Sequence, residues 1–255
     1  MLYPFGQSLK PVTQKNKSPK DLFILGVYAS AVHAKWIGAD GKEKVKALAV
    51  ASEPEIFWKG ENAEKIIAKI KIPAALGKLV PAHVQFNGPS GKALDDLYIK
   101  PLGLNRADCW LSDLLPETRI NNGQQKAIDR AYNPIKAKNK LNDVTIPTFK
   151  KTELNSKDRA IEILDEIKQS KSSKIVLLGD LPIQKWLKHF APQYSKLTDF
   201  VKHDSDYGKL HELKIDGNEY QVLPLCHPRQ AGKLGRSSNI WFKRHQKWVD
   251  SKPKF

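Results

Sequence analysis

Four short, nearly uninterrupted apolar runs constrain this chain more than any other feature. They are Leu22-Phe23-Ile24-Leu25-Gly26-Val27, Cys109-Trp110-Leu111-Ser112-Asp113-Leu114-Leu115, Lys174-Ile175-Val176-Leu177-Leu178-Gly179 and Tyr220 to Leu225. A continuous apolar run of this length is the pattern of a strand covered on both faces. Helical stripes fall between and after the runs. Ser156 caps Ile163, Leu164 and Ile167, and Asp180 caps Ile183, Trp186, Leu187 and Phe190 at i, i+3, i+4 and i+7. Ser238 caps a last stripe of Trp241, His245 and Trp248. Strands alternating with helices argue for a layered α/β fold. The expectation is a three-layer α/β/α sandwich around a central, mainly parallel four-stranded sheet, plus a small β-hairpin. The hairpin joins Ala31–Ile37 to Lys44–Ala51 through Ala39-Asp40-Gly41. Asn62, and Asn122 with Gln125, are candidate caps of shorter helices, and residues 136–155 read as an exposed connection.

A chain of 255 residues is ample for a buried core. The lack of repeats or an obvious linker argues for one domain over residues 21–255. Residues 1–20 carry Pro4, Pro11 and Pro19 among polar residues and read as a basic arm. The charge is lopsided. Residues 1–20 hold four Lys and no acid, and residues 224–255 hold eight Lys plus Arg against Asp250 alone, which accounts for 11 of the 16 net positive charges. Two basic ends on a nearly balanced body suit a polyanionic partner, although a soluble basic protein with no such partner has the same composition. No apolar run reaches the roughly 18 residues of a membrane span, and no secretory signal pattern opens the chain. The expected location is therefore cytoplasmic, nucleoid-associated or nuclear, not secreted. Two cysteines, Cys109 and Cys226, exclude a disulfide framework or a cluster held by four thiolates, and both read as inert buried thiols. Neither a phosphate-binding G-x-x-x-x-G-K-[ST] loop nor G-x-G-x-x-G is present, and His and Cys show no metal-ligand spacing. No cofactor, nucleotide or metal is expected.

In open α/β sheets, ligands sit beyond the carboxyl ends of the strands. Four loops occupy that position here: Gly26 to Ala31, Ser112 to Pro116, Gly179 to Pro182 and His227 to Gly232. The last is the most informative, because His227 follows a buried strand directly and leads into Pro228, Arg229 and a basic loop. A histidine there that only hydrogen-bonds its own loop is the plain alternative.

These blocks resemble, in their order, the uracil-DNA glycosylase superfamily over most of residues 20–250. Leu25 to Ala31 stands in place of a Gly-x-x-Pro-Gly-like water-positioning loop, and Trp110-Leu111-Ser112-Asp113 in place of the strand that carries a base-reading residue. Leu178-Gly179-Asp180 matches a strand ending in Gly at a helix start. His227-Pro228-Arg229 and Trp241-Phe242-Lys243-Arg244-His245 resemble the His-Pro-Ser loop and the helix after it. The resemblance implies extrusion of a target base into a pocket and hydrolysis of its bond to the sugar. It implies that His227 donates a hydrogen bond to the departing base, a contribution on the order of 3 kcal/mol. It assigns Arg229, Gln230, Lys233, Arg236 and Ser237, with Lys243 and Arg244 on the next helix, to DNA gripping. The peptide N–H groups of Ser30 and Ala31 would meet a phosphate or the base edge, and Phe86 or Trp36 would stack on the base.

Two departures stand out. Val27, Tyr28 and Ala29 contain no carboxylate or amide to activate water. That leaves the Tyr28 hydroxyl, a poor base at neutral pH, or His33. Asp113 stands where an amide would read the base edge, and a carboxylate only accepts hydrogen bonds. Trp186, Trp241 and Trp248 read as core. The expected function is that of a monomeric DNA glycosylase removing uracil or another damaged base from lesion-containing DNA. The alternative is a weak or inactive lesion-binding protein of the same fold. An enzyme of free nucleosides or small glycosides is a third expectation, for which the basic ends would have no purpose.

Overall fold

All four apolar runs are strands in the computed structural model, which describes residues 1–234 and 237–253. In chain order the strands are β1 (Leu22–Tyr28), β2 (Ala31–Ile37), β3 (Glu43–Ser52), β4 (Lys78–Pro81), β5 (Cys109–Leu115), β6 (Lys174–Leu178), β7 (His211–Ile215) and β8 (Asn218–Leu225). They form a five-stranded sheet in the order β5-β1-β6-β8-β7 and a three-stranded sheet in the order β3-β2-β4. The fold is α/β. No described helix is long and apolar enough to cross a membrane.

The chain divides into two compact units, neither continuous in sequence. One comprises Met1–Val12, Tyr28–Pro89 and Pro116–Lys150. The other comprises Thr13–Val27, Ser90–Leu115 and the described residues from Lys151 onward.

The first unit is built on the antiparallel sheet. β2 pairs with β3 from Ala31↔Ser52 to Ile37↔Glu43 and with β4 from Ala34↔Pro81 to Ile37↔Lys78. The expected hairpin is therefore two of three strands. β4 escapes the sequence because four residues, mostly half-buried, leave almost no periodic signal. Residues 1–12 are no arm. Tyr3, Phe5 and Val12 are buried, and the Phe5 ring meets Trp36 and Tyr132 edge-on at 5.4 and 5.2 Å. Nor are residues 136–150 an exposed connection throughout, since Ile146 is buried and Leu141 and Val144 pack on the same core. A capping box opens the helix Asn122–Ala127, but one residue earlier than expected, with Asn121 and Gln124 exchanging hydrogen bonds. Asn62 precedes the helix Ala63–Ile67 in a left-handed conformation and makes no side-chain cap.

The second unit holds the larger sheet. β1 and β6 are parallel, β6 and β8 are parallel, and β7 is antiparallel to β8. The expected four strands are joined by a fifth, β7, whose sequence His-Glu-Leu-Lys-Ile has its one buried residue at Ile215. An exposed edge strand shows no apolar run, so β7 was invisible to that criterion. Every residue of β5 is buried, as are all but the last of β1 and all but the first of β6, so the central sheet is covered on both faces.

The helix Lys157–Ser170 turns Ala160, Ile163, Leu164 and Ile167 inward, and the Ser156 hydroxyl accepts from the Arg159 N–H as its cap. Arg159 reaches from that helix to β5. Its guanidinium donates to the Glu166 carboxylate (2.8 Å), the Ser112 hydroxyl (3.1 Å) and the Asp113 carbonyl (2.7 Å). Such charge-assisted bonds fix the strand's position. The helix Asn239–Asp250 starts at Ser238 as expected. The helix Asp180–Lys185 instead has Gly179 at its cap position and Asp180 as its first residue.

Candidate functional site

Once β7 is set aside, the strands of the larger sheet run, by chain order, second-first-third-fourth, so the direction of winding reverses between β1 and β6. Crevices at the carboxyl ends of strands beside such a reversal are where α/β sheets bind ligands. A pocket of about 500 Å³ opens there, lined by Val27 from β1, Leu178 at the end of β6 and Gly179 to Leu181 after it, and His227, Arg229 and Gln230 after β8. Leu197, Ser237 and Trp241 complete the wall. The volume is in the range of small-ligand sites.

His227 follows the end of β8 and caps the short helix Pro228–Ala231, with Pro228 at the first helical position, where its missing N–H costs nothing. The Arg229 N–H donates to His227 Nδ1 at 3.1 Å. An Nδ1 that accepts leaves the ring proton of the neutral imidazole on Nε2, so Nε2–H is a donor available to the pocket. Burial in protein, followed by the Arg229 charge, lowers the His227 pKa from 6.5 to about 4. The ring is therefore neutral at pH 7. A neutral imidazole donor can stabilise an oxyanion as it forms without becoming an acid beforehand.

What surrounds His227 keeps it in place. Gly179 has φ +88°, and a Cβ there would lie 3.2 Å from the His227 Cβ, so only glycine lets β6 pass this close. Behind it, Cys226 is bonded at both ends of its residue. Tyr98 donates its hydroxyl to the Cys226 carbonyl at 2.6 Å, and the Cys226 N–H donates to the Tyr207 oxygen at 3.1 Å. His245 Nε2 lies 2.8 Å from the Leu97 carbonyl, which can only accept, so Nε2 carries the proton. His245 Nδ1, 2.6 Å from the Tyr207 hydroxyl, then accepts from it. Burial holds the His245 pKa at about 4, and raises those of Tyr98, Tyr207 and Cys226 above their ordinary values. Each polar group named in this network thus has a hydrogen-bond partner.

Of the residues expected at the site, His227, Arg229, Gln230 and Ser237 line the pocket. The others are elsewhere or already engaged. Gly26 lies within β1, not in a loop, and only Ala29 and Ser30 bridge β1 and β2. Tyr28 stacks on Phe149 in the first unit, with ring centres 4.8 Å apart. Ser30 cannot offer its peptide to a phosphate, because its N–H donates to the Glu53 carboxylate at 2.8 Å and its carbonyl accepts from Thr118 at 2.6 Å. Ala31 is buried and pairs with Ser52. His33 is a core residue of the first unit. It accepts at Nε2 from the Gln124 amide (2.6 Å), and burial lowers its pKa to about 4. Trp36 is core too, its N–H given to the Leu76 carbonyl, while Phe86 is half-buried near Lys46. Asp113 is buried within β5 and does not line the pocket.

Among the basic residues, Arg229 is exposed and gives its Nε–H to the Leu234 carbonyl at 3.2 Å, and the Ser237 hydroxyl closes the same turn. Lys233 lies over the Phe242 ring at 5.1 Å, and Lys243 is exposed. Arg244 is not free for a phosphate. Its Nε–H donates to Asp204 at 2.7 Å and its guanidinium covers Trp241 at 5.1 Å. Arg236 lies outside the described residues.

Sequence spacing assigns no site role to the aromatic or the acidic member of the pocket wall. Trp241 was placed with His245 and Trp248 by helical spacing, yet it is only partly buried and its side chain borders the pocket. Asp180, expected as a cap within one of the four carboxyl-end loops, is the first residue of its helix, and its Oδ1 accepts from the Leu197 N–H at 2.8 Å at the pocket edge. The pocket thus combines a neutral hydrogen-bond donor, a carboxylate, an amide and an aromatic wall. Among the described residues, no group of three or more His, Cys, Asp or Glu is placed to hold a metal ion. No family model and no curated protein matches this sequence.

Proposed function

We propose that this protein hydrolyses the bond between a deaminated or damaged base and its sugar in DNA. The observation that carries the proposal is His227. A neutral Nε2–H donor stands in a pocket at the carboxyl ends of parallel strands, where an extruded base would present a carbonyl oxygen. As the glycosidic bond breaks, charge gathers on that oxygen, and a prepositioned donor lowers the barrier. Trp241 and Gln230 supply a stacking wall and an adaptable polar contact. The net charge of +16, with Lys233 and Lys243 exposed in the same loop and helix as Gln230 and Trp241, suits a phosphate backbone. In this reading the covered central sheet is the middle layer of an α/β/α sandwich like that of uracil-DNA glycosylases. The protein acts as a monomer on DNA.

A second reading is lesion binding without base release. It is favoured by Tyr28 and Asp113, the expected water-holding and base-reading groups, neither of which lines the pocket. One experiment separates the two readings. Duplex and single-stranded oligonucleotides carrying uracil, hypoxanthine or xanthine are incubated with excess protein, and abasic sites are cleaved with alkali. Cleavage at the lesion supports excision. Salt-dependent binding with intact strands supports the second reading, and absence of both removes DNA as the partner.

A further inference from the structure

We propose that Asp180 is the carboxylate that holds and deprotonates the attacking water. The inference rests on the base-excision reading and assigns the half of the reaction that His227 does not perform.

Three features of the structure converge on this residue. Asp180 is the one carboxylate lining the pocket among the described residues. Its Oδ1 accepts from the Leu197 N–H at 2.8 Å, which leaves Oδ2 without a protein hydrogen bond among the described residues. Its place relative to His227 is set by strand register. β6 and β8 are paired in parallel through Leu178↔Leu225, and the ladder continues where the Gly179 N–H donates to the Leu225 carbonyl at 2.7 Å. Asp180 therefore leaves β6 beside the point where His227 leaves β8, and the missing side chain of Gly179 puts no bulk between them.

Exposure decides what the carboxylate does. Asp180 is exposed, whereas His227 is mostly enclosed, so a base held against His227 places its sugar toward the pocket mouth and Asp180. A carboxylate facing the sugar carbon, opposite a donor that stabilises the leaving group, is the arrangement that glycoside hydrolysis requires. The C1′–N bond breaks with its electron pair on the base, whose carbonyl oxygen accepts from His227 Nε2–H. Water forms the new C1′–O bond and gives its proton to Oδ2. The base anion takes a proton from solvent, and the protonated Asp180 returns one to solvent. Atoms and charge balance without a cofactor.

The test uses the full-length protein and whichever uracil-, hypoxanthine- or xanthine-containing oligonucleotide the wild type cleaves. Asp180→Asn keeps the Leu197 hydrogen bond but cannot take the proton, so kcat should fall on the order of 100-fold or more while KM changes less than about threefold. Asp180→Gly in added sodium formate should recover about tenfold or more of the lost rate, because formate can occupy the vacated site. That recovery is a readout a merely structural role would not move. A kcat within about threefold of wild type, a loss confined to KM, or a loss that formate does not reverse would overturn the assignment while excision itself stands. A wild type that releases no base fails before any substitution is made, and then the excision reading falls and this one with it.

Discussion

Replacing Gly179 with alanine tests how the pocket is assembled. Gly179 has φ +88° and ψ −173°, a region occupied almost only by glycine, where an L-residue costs about 1–3 kcal/mol. The added methyl would also stand 3.2 Å from the His227 Cβ, tighter than ordinary contact, and His227 is held from behind by the Cys226 hydrogen bonds. Together these make a loss on the order of 3 kcal/mol, which lowers Tm by roughly 6–12 °C in a domain of this size. Gly217→Ala is the control. It has φ +81° in the tight β7–β8 turn, and nothing lies within 4 Å of its added Cβ, so it carries the backbone cost alone. Melting both variants by circular dichroism compares the crowded site with the open one. If Gly179→Ala melts no lower than Gly217→Ala, the close approach of β6 to His227 contributes nothing, and the account of the pocket wall is wrong.

Two other predictions concern buried groups, one in each unit and one at the end of β8. His33 in the first unit and His245 in the second have pKa values lowered from 6.5 to about 4, chiefly by burial. The unfolded chain takes up these protons below pH 6.5 and the native chain does not until about pH 4. Stability is therefore full above pH 6.5 and lost as pH falls toward 4, by on the order of 3 kcal/mol per histidine. Urea midpoints at pH 7.5, 6 and 4.5 should fall in that order, and a flat series contradicts the assignment. Tyr207→Phe leaves the Cys226 N–H and His245 Nδ1 without a partner, and should cost about 2–4 kcal/mol in urea unfolding. A change below about 0.5 kcal/mol would mean the network is not what holds the end of β8.

Much of the sheet was legible because burial on both faces writes itself as continuous apolar sequence, as in β1, β5 and β6. His227 was legible for a related reason, since the residue after such a strand must emerge at the sheet's carboxyl edge. What escaped depends on tertiary neighbours. β7 has a polar sequence because it lies at an edge. Tyr3 and Phe5 sit among prolines and polar residues that read as a tail, yet the first unit's core forms around their rings. Helical spacing put Trp241 with His245 and Trp248, but a residue in the first turn of a helix can share that stripe and still reach the rim of a pocket. Glu53 gave no local signal at all. It is 5 % exposed at the end of β3, and only the fold brings its carboxylate to the Ser30 N–H. Asp180 and Asp113 show the same limit from both sides. Each is an acid near the carboxyl end of a strand, but one faces the pocket and the other does not.

The central claim is that His227, as a neutral donor, stabilises a departing base. Its most direct test is the single-turnover rate of base release by the wild type and by His227→Ala, on the best substrate from the lesion panel at pH 7.5. Loss of one such donor predicts a fall of roughly 100- to 1,000-fold with the fold's Tm preserved within a few degrees. Release at an unchanged rate by His227→Ala would contradict it.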